Sequence, residues 1–156
     1  MKKRSGFTLI ELLIVIGIIA ILAGIVIIAV NPTKQFAEAN NAQRQSDVNA
    51  LLNAVSQYAV DNRGQLPAFV NANVDPIVST GTGTTAADLC NALVPTYISG
   101  LPTDPVGSNA SATTPGTYTD CGTAFDLGYS IGLDANSRIE VTAPHAEDGA
   151  TITITR

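Results

Sequence analysis

The chain has no tryptophan, one histidine and two cysteines, and only 5% of its 156 residues are aromatic and 13% charged. So few charges exclude a disordered polyampholyte, and the length corresponds to about one domain of ~100 to 150 residues, which argues against a multidomain enzyme. The lone histidine has no assignable partner, and no Gly-rich phosphate loop occurs. The sequence therefore predicts no catalytic site and no cofactor.

Apolar residues make up 46% of the chain but are unevenly distributed. Within residues 7–30, 20 of 24 side chains are apolar. The charged residues are unevenly distributed as well. The only charges before this run are three basic residues. After residue 30 there are five basic and twelve acidic residues, which gives a net charge of −7. An acidic surface repels phosphate backbones, so we expect no nucleic acid partner.

The apolar run is long enough to span a membrane. As a helix, residues 7–30 reach roughly 36 Å, which exceeds a hydrocarbon core of ~30 Å. A buried helix in a soluble protein normally shows a polar stripe, and residues 12–30 show none. Lys2, Lys3 and Arg4 favour a cytoplasmic N-terminus, which places the chain after residue 30 on the outer side of the membrane.

An ordinary secretory signal peptide also has a basic start and an apolar middle. Its apolar run is ~7 to 15 residues long and ends at a small-residue cleavage site. Here the run is longer and continues into Asn31-Pro32 without such a site. We therefore expect a helix that the protein retains.

The residues around the start of the run carry a resemblance to a known family. Residues 2–15, KKRSGFTLIELLIV, combine a short basic leader, a glycine, Phe-Thr-Leu-Ile-Glu and an apolar helix. They resemble the N-terminus of a type IV prepilin or pseudopilin. The resemblance implies that a membrane-embedded prepilin peptidase cleaves between Gly6 and Phe7 on the cytoplasmic side. It also implies that the leader, residues 1–6, is removed and that the amino group of Phe7 is methylated.

Glu11 is an acid inside an apolar helix. A carboxylate there costs ~2.5 kcal/mol or more on insertion scales, so it indicates a function. As in the family that the N-terminus resembles, Glu11 is expected to pair with the Phe7 amino group of a neighbouring subunit and so set the axial stagger of adjacent helices. The alternative is that Glu11 lies close enough to the helix end to reach the lipid headgroups.

The chain after the apolar run is expected to continue as helix. Pro32 suits a first helical position or a kink. Apolar residues then recur at spacings of three and four, which indicates one buried helical face: Val48, Leu51, Leu52, Val55, Tyr58 and Ala59. A stop signal follows at residues 62–64. We predict a single kinked helix over residues 7–61, with residues 7–30 in the membrane and filament core and residues 31–63 as its outer amphipathic part.

Residues 64–156 are predicted to form a globular domain. Thr85 begins a short helix to about residue 94, and residues 97–105 form a proline-rich loop of a kind that precedes the strands in many pseudopilins and small pilins. Alternating apolar residues predict strands at 125–133 and 139–141, and residues 151–155 add a third. The fold class is α+β, a long N-terminal helix packed on a small three-stranded antiparallel sheet.

The two cysteines predict one disulfide, Cys90 to Cys121, in an oxidising compartment. It would close a loop of about 30 residues and stabilise the domain by roughly 3 to 4 kcal/mol in the chain-entropy model. A reactive thiol or a metal site is the alternative, but no CxxC occurs and His145 lies in a loop. We therefore predict no metal ligands among them.

Two further sites are weaker alternatives. The resemblance to major pseudopilins suggests calcium, for which the acidic last third offers oxygen ligands, although their spacing matches no defined loop: Asp120, Asp126, Asp134, Asn136 and Glu140. These residue types also form turns. Asn109-Ala110-Ser111 fits a glycosylation sequon.

The predicted function is that of a structural subunit, not an enzyme. It would lie in the cytoplasmic membrane as a single-pass protein, be trimmed after Gly6, and polymerise with copies of itself into a type IV pilus-like filament outside the cell. The resemblance implies an assembly platform and an ATPase as further partners. Two alternatives stay open: a pseudopilin of a type II secretion system, and a minor pilin-like module for adhesion or DNA uptake.

Overall fold

The structure is a computed structural model that describes residues 6–29, 31–80, 85–107, 117–122 and 124–156. The chain forms two compact units, Met1–Phe36 and Ala37–Arg156. Residues 1–5 of the leader and the sequon at residues 109–111 lie outside the described residues.

The first unit contains helix α1, Leu9–Ala29. Its stretch Leu9–Ile27 is long and apolar enough to cross a membrane, and none of it is buried within the protein. Large apolar side chains are exposed all round this helix, for example Leu12 at 62% and Ile27 at 69%. A surface of this kind is stable only in lipid or against other apolar helices.

Helix α2, Pro32–Asp61, follows α1 after an interruption. Asn31 is not helical, and its Oδ1 accepts a hydrogen bond from the backbone N–H of Lys34 at 3.4 Å, so it caps α2 ahead of Pro32. The helical path predicted as one kinked helix is therefore two helices. The predicted stop is confirmed, because α2 ends at Asp61 and Gly64 follows with a φ of +86°.

Helix α3, Thr85–Leu93, and four antiparallel strands build the second unit together with α2. The sheet has the order β1-β4-β5-β6 among the described residues. Its strands are β1 Asp75–Thr80, β4 Ala124–Leu133, β5 Ile139–Ala143 and β6 Ile152–Thr155. A separate pair consists of β2 Leu101–Pro102 and β3 Thr117–Tyr118.

The predicted strands near residues 125–133, 139–141 and 151–155 are confirmed, but the prediction of three strands in the sheet was wrong by one. The extra strand, β1, pairs with β4 along one edge of the sheet. It contains Pro76 and a register shift between Pro76 and Val78. Proline is tolerated in edge strands, and so short a run has no apolar alternation to detect.

The core lies between α2, α3 and one face of the sheet. Val48, Leu51 and Val55 of the predicted apolar face are fully buried. They pack in one cluster with Leu89 and Leu93 of α3 and with alternate residues of β4 and β5, among them Leu127, Ile131 and Val141. The small sheet is thus stabilised by a helix covering its apolar side, as the α+β prediction requires.

Candidate functional site

The predicted processing site lies at the start of the first unit. Gly6 and Phe7 precede α1, and the Phe7 side chain is 93% exposed. Both residues are exposed and neither is part of a helix.

Glu11 lies at the third position of α1 and takes part in the cap of that helix. Its Oε2 accepts hydrogen bonds from the backbone N–H of Thr8 at 2.8 Å and from the Thr8 hydroxyl at 2.7 Å. The Thr8 hydroxyl oxygen accepts in turn from the backbone N–H of Glu11 at 3.3 Å. This reciprocal arrangement is a capping box, with Thr8 at the cap position. Sequence reasoning assigned no role to Thr8, although a threonine three residues before a glutamate is the signal for such a cap.

A buried ion pair holds the second unit together at the start of its part of α2. Arg44 is 1% exposed, and its Nε and Nη2 donate to the two carboxylate oxygens of Asp104 at 2.7 and 3.0 Å. Its Nη1 donates to Glu147 at 3.0 Å. The bond to Asp104 raises the pKa of Arg44. One guanidinium thereby joins α2 to the loop after β2 and to the loop between β5 and β6.

Asp104 can lie this close to β4 because the strand has a glycine, Gly128, opposite it. Its own N–H donates to the carbonyl of Leu127 at 2.9 Å. The next residue, Gly128, has a φ of +75°, and a Cβ there would come within 2.7 Å of the Asp104 Cβ. Glycine serves both needs, a left-handed backbone and a close approach.

The loop between β5 and β6 docks on α2 through Glu147. Its carboxylate accepts from the side-chain amide of Asn40 at 2.8 Å as well as from Arg44, and these bonds lower its pKa. Its backbone carbonyl accepts from Asn41 Nδ2 at 2.9 Å, and its N–H donates to Asn41 Oδ1 at 3.0 Å. Four bonds therefore fix residue 147 on the helix.

A second buried acid, Asp47, lies one turn further along α2. It accepts from the Tyr129 hydroxyl at 2.8 Å and from Gln43 at 2.8 Å. Burial raises the pKa of Asp47, and burial together with this carboxylate raises the pKa of Tyr129. Sequence reasoning missed Arg44 and Asp47. Their spacing was a usable signal, because they share one helical face with Val48 and Leu51.

The disulfide that the two cysteines predicted is present, with Cα atoms 5.4 Å apart. Both cysteines are buried, and the bond joins α3 to the turn that precedes β4. The 31-residue separation matches the loop on which the expected stabilisation was based.

Replacing both Cys90 and Cys121 by serine is expected to lower the free energy of unfolding by about 3 to 4 kcal/mol, since the unfolded chain regains the entropy of the open loop. Urea unfolding of the full chain in detergent, followed by tyrosine near-ultraviolet circular dichroism, measures this. Reductant should lower the stability of the wild-type chain by a similar amount and leave the stability of the double variant unchanged. Equal stability of all samples contradicts the prediction.

The residues named for calcium do not converge. Asp134 accepts from Arg138 Nε at 2.8 Å and from two backbone N–H groups of the β4–β5 turn, so its oxygens are already occupied. Asp120 and Asp126 each accept from a backbone N–H two residues on. Within the described part of the chain no three His, Cys, Asp or Glu residues come close enough to hold a metal ion. Asp120 and Asp134 hold turns, as in the alternative interpretation, whereas Asp126 and Glu140 lie within strands β4 and β5.

The chain is similar to known proteins along most of its length. Residues 1–27 match the family described as the prokaryotic N-terminal methylation motif. The chain is 34% identical over 138 residues to the type II secretion system core protein G of Escherichia coli (strain K12), covering 88% of each chain. It is 32% identical over 136 residues to the protein of that name from Aeromonas hydrophila, covering 87% of each.

A third relative, the type II secretion system core protein G of Vibrio cholerae serotype O1, is 33% identical over 142 residues, which cover 91% of this chain and 89% of that one. No solved structure matches the chain. Because the three alignments cover at least 87% of the chain, the similarity includes the globular unit as well as the N-terminal motif.

Proposed function

The chain belongs to the type IV pilin and pseudopilin family, together with the core G proteins of type II secretion systems, and we propose that it is a pseudopilin of such a system. The family is structural rather than enzymatic. The observation that carries the proposal is the extent of the similarity, which reaches across at least 85% of the chain in several core G proteins. It supports the secretion alternative better than the surface pilus that the N-terminal motif first suggested.

The proposed route begins with insertion of α1 into the cytoplasmic membrane. The basic leader supports an orientation with the N-terminus in the cytoplasm, so that the unit Ala37–Arg156 lies on the outer side. An oxidising compartment there suits the Cys90–Cys121 disulfide. A prepilin peptidase would then cleave between Gly6 and Phe7, and Phe7 would be methylated at its new amino group.

Assembly would bury the apolar surface of α1 against copies of itself in a short fibre. Such a helix gains no apolar burial when it leaves the bilayer, because lipid tails are as apolar as its neighbours in a fibre. Extraction therefore needs external energy, and an assembly platform with an ATPase is the proposed source. In the fibre the Glu11 carboxylate would pair with the Phe7 amino group of the next subunit. Thr8 holds the Glu11 carboxylate at the start of α1, which supports this pairing.

Deleting the gene from its host bacterium tests the function. We expect proteins exported by the type II system to disappear from the medium and to accumulate inside the outer membrane, and a plasmid-borne copy to restore them. Mass spectrometry of medium and periplasm measures both. Unchanged secretion, together with loss of long surface fibres, would instead favour the pilus.

A further inference from the structure

The second unit has a polar groove at the far end of α2. It encloses about 400 Å³ and is lined by the last turns of α2, by the segment after α3 and by Arg156. Asn53, Gln57 and Val60 form its helical wall, and Tyr97 lies opposite. Val60 is 80% exposed, so this wall offers apolar as well as amide surface.

Arg156 supplies a positive charge to this groove. Its Nη1 donates to Asn53 Oδ1 at 2.9 Å, which is a neutral acceptor. Within the described residues no carboxylate forms an ion pair with it. Asp61 also lines the groove, where burial and this carboxylate raise the pKa of Tyr97, but within the described residues it forms no ion pair with Arg156. In a unit whose net charge is negative, the groove therefore presents an arginine that has no ion pair among the described residues and lies beside one carboxylate, Asp61.

A matching acid lies at the other end of α2. Asp148 is exposed, and it occupies the tip of a tight turn in which the N–H of Ala150 donates to the carbonyl of Glu147 at 3.1 Å. Its φ of +56° is followed by a φ of +70° at Gly149, and positive φ at both central residues is typical of a type I′ turn. Because Glu147 is bonded to Asn40, Asn41 and Arg44, the turn is held firmly on the helix and Asp148 projects from it.

We propose that Asp148 of one copy docks on Arg156 in the groove of the next copy. The two sites lie on different parts of the surface, since the turn attaches near Arg44 and the groove opens at Gln57, about 20 Å further along α2. A contact between different patches is heterologous and can repeat without closing, which is what a fibre needs. This contact rests on the proposed function.

Among the other exposed acids of this unit, Glu38 and Asp120 already take part in other interactions, Asp61 lines the groove itself, and Asp88 lies on α3. It lies in the first turn of α3, whose chain runs directly into Thr96 and Tyr97 of the groove itself. Asp148, at the opposite end, allows every copy to contact the next in the same direction.

The expected effect follows from charge reversal. An exposed ion pair adds little affinity by itself, but like charges placed opposite each other in a contact are strongly unfavourable and set the register. We expect Arg156→Glu and Asp148→Lys each to lower the yield of assembled fibres by about tenfold. The chain that carries both substitutions should recover most of the wild-type yield, because the pair is restored with its signs exchanged.

The experiment uses the full chain in a host with its secretion machinery, and sedimentation with immunoblotting measures the assembled fraction. Asp88→Lys is the control, with the same change of charge on α3. Asp148→Asn keeps a residue that tolerates positive φ and removes only the charge, so it should give an intermediate yield. Circular dichroism of each purified chain in detergent compares the folds.

The outcomes separate the contact from the function. Loss in both single variants, recovery in the double variant and normal yield for Asp88→Lys support the docking. Normal fibres from either single variant, or no recovery in the double variant, overturn it while the proposed function stands. A wild-type chain that never assembles contradicts the proposed function and the contact together.

Discussion

Arg44→Met is expected to lower the free energy of unfolding by about 3 to 5 kcal/mol, because it leaves a buried carboxylate without its cation. The side chain of Asp104 is 0% exposed, and Arg44 donates two hydrogen bonds to it. Methionine is shorter than arginine but comes close to it in volume and is apolar, so the loss reports mainly the unpaired charge rather than a cavity. The same change also removes the bond to Glu147 and loosens its loop.

Urea unfolding of the full chain in detergent measures this loss. Every tyrosine of the chain lies after residue 57, so tyrosine near-ultraviolet circular dichroism reports on the second unit and not on α1. Arg138→Met is the matched control. That arginine is 53% exposed and pairs with Asp134 within one turn, so its loss should cost less than about 1 kcal/mol.

A second substitution tests the cause. Asp104→Asn, added to Arg44→Met, removes the buried negative charge and keeps an acceptor for the N–H of Val106, which Asp104 Oδ1 binds at 2.9 Å. Part of the lost stability should return. Equal costs for Arg44→Met and Arg138→Met, or no recovery on adding Asp104→Asn, would contradict the role given to the buried charge.

Glu11→Gln is expected to lower the assembled fraction strongly while the protein still inserts into the membrane and is processed. Glutamine can keep the capping box with Thr8, so the start of α1 should persist. Only the negative charge is lost, and with it the proposed pairing to the Phe7 amino group of a neighbour. A close pair of charges in a desolvated contact contributes about 1.5 kcal/mol or more, so the assembled fraction should fall by at least about tenfold.

Membrane fractionation and N-terminal sequencing establish insertion and a mature start at Phe7, and sedimentation measures fibres. Asp88→Asn removes an exposed carboxylate from α3 and serves as the control with normal assembly. Thr8→Val separates the cap from the charge, because it removes the hydroxyl and leaves Glu11 in place. Normal fibres from Glu11→Gln would refute the pairing.

Much of the fold could be predicted because its signals are local. The buried face of α2 follows from the spacing of Val48, Leu51 and Val55, and β4 follows from alternation between residues 125 and 133. Strand β1 could not be found in this way, because Pro76 interrupts it and its strand character depends on pairing with β4. The break between α1 and α2 at Asn31 was anticipated only as a kink.

The sequence by itself determined where this protein can reside and which family it belongs to. An uninterrupted apolar helix, a basic leader and the Gly6-Phe7 motif are properties of neighbouring residues, and transfer into lipid depends on composition along one helix. The disulfide followed as well, because two cysteines permit one pairing.

Only the tertiary structure decided what the charged residues do. Arg44, Asp104 and Glu147 are up to 103 positions apart, and whether a charge is solvated or buried depends on which segments pack over it. The same holds for Asp148 and Arg156, which lie eight residues apart in sequence but at different ends of α2. The fold decides how deeply each acid is buried and which groups lie near it. For this reason Asp104 is a buried ion-pair partner, Asp134 holds a turn, and Asp148 is the proposed contact for another copy.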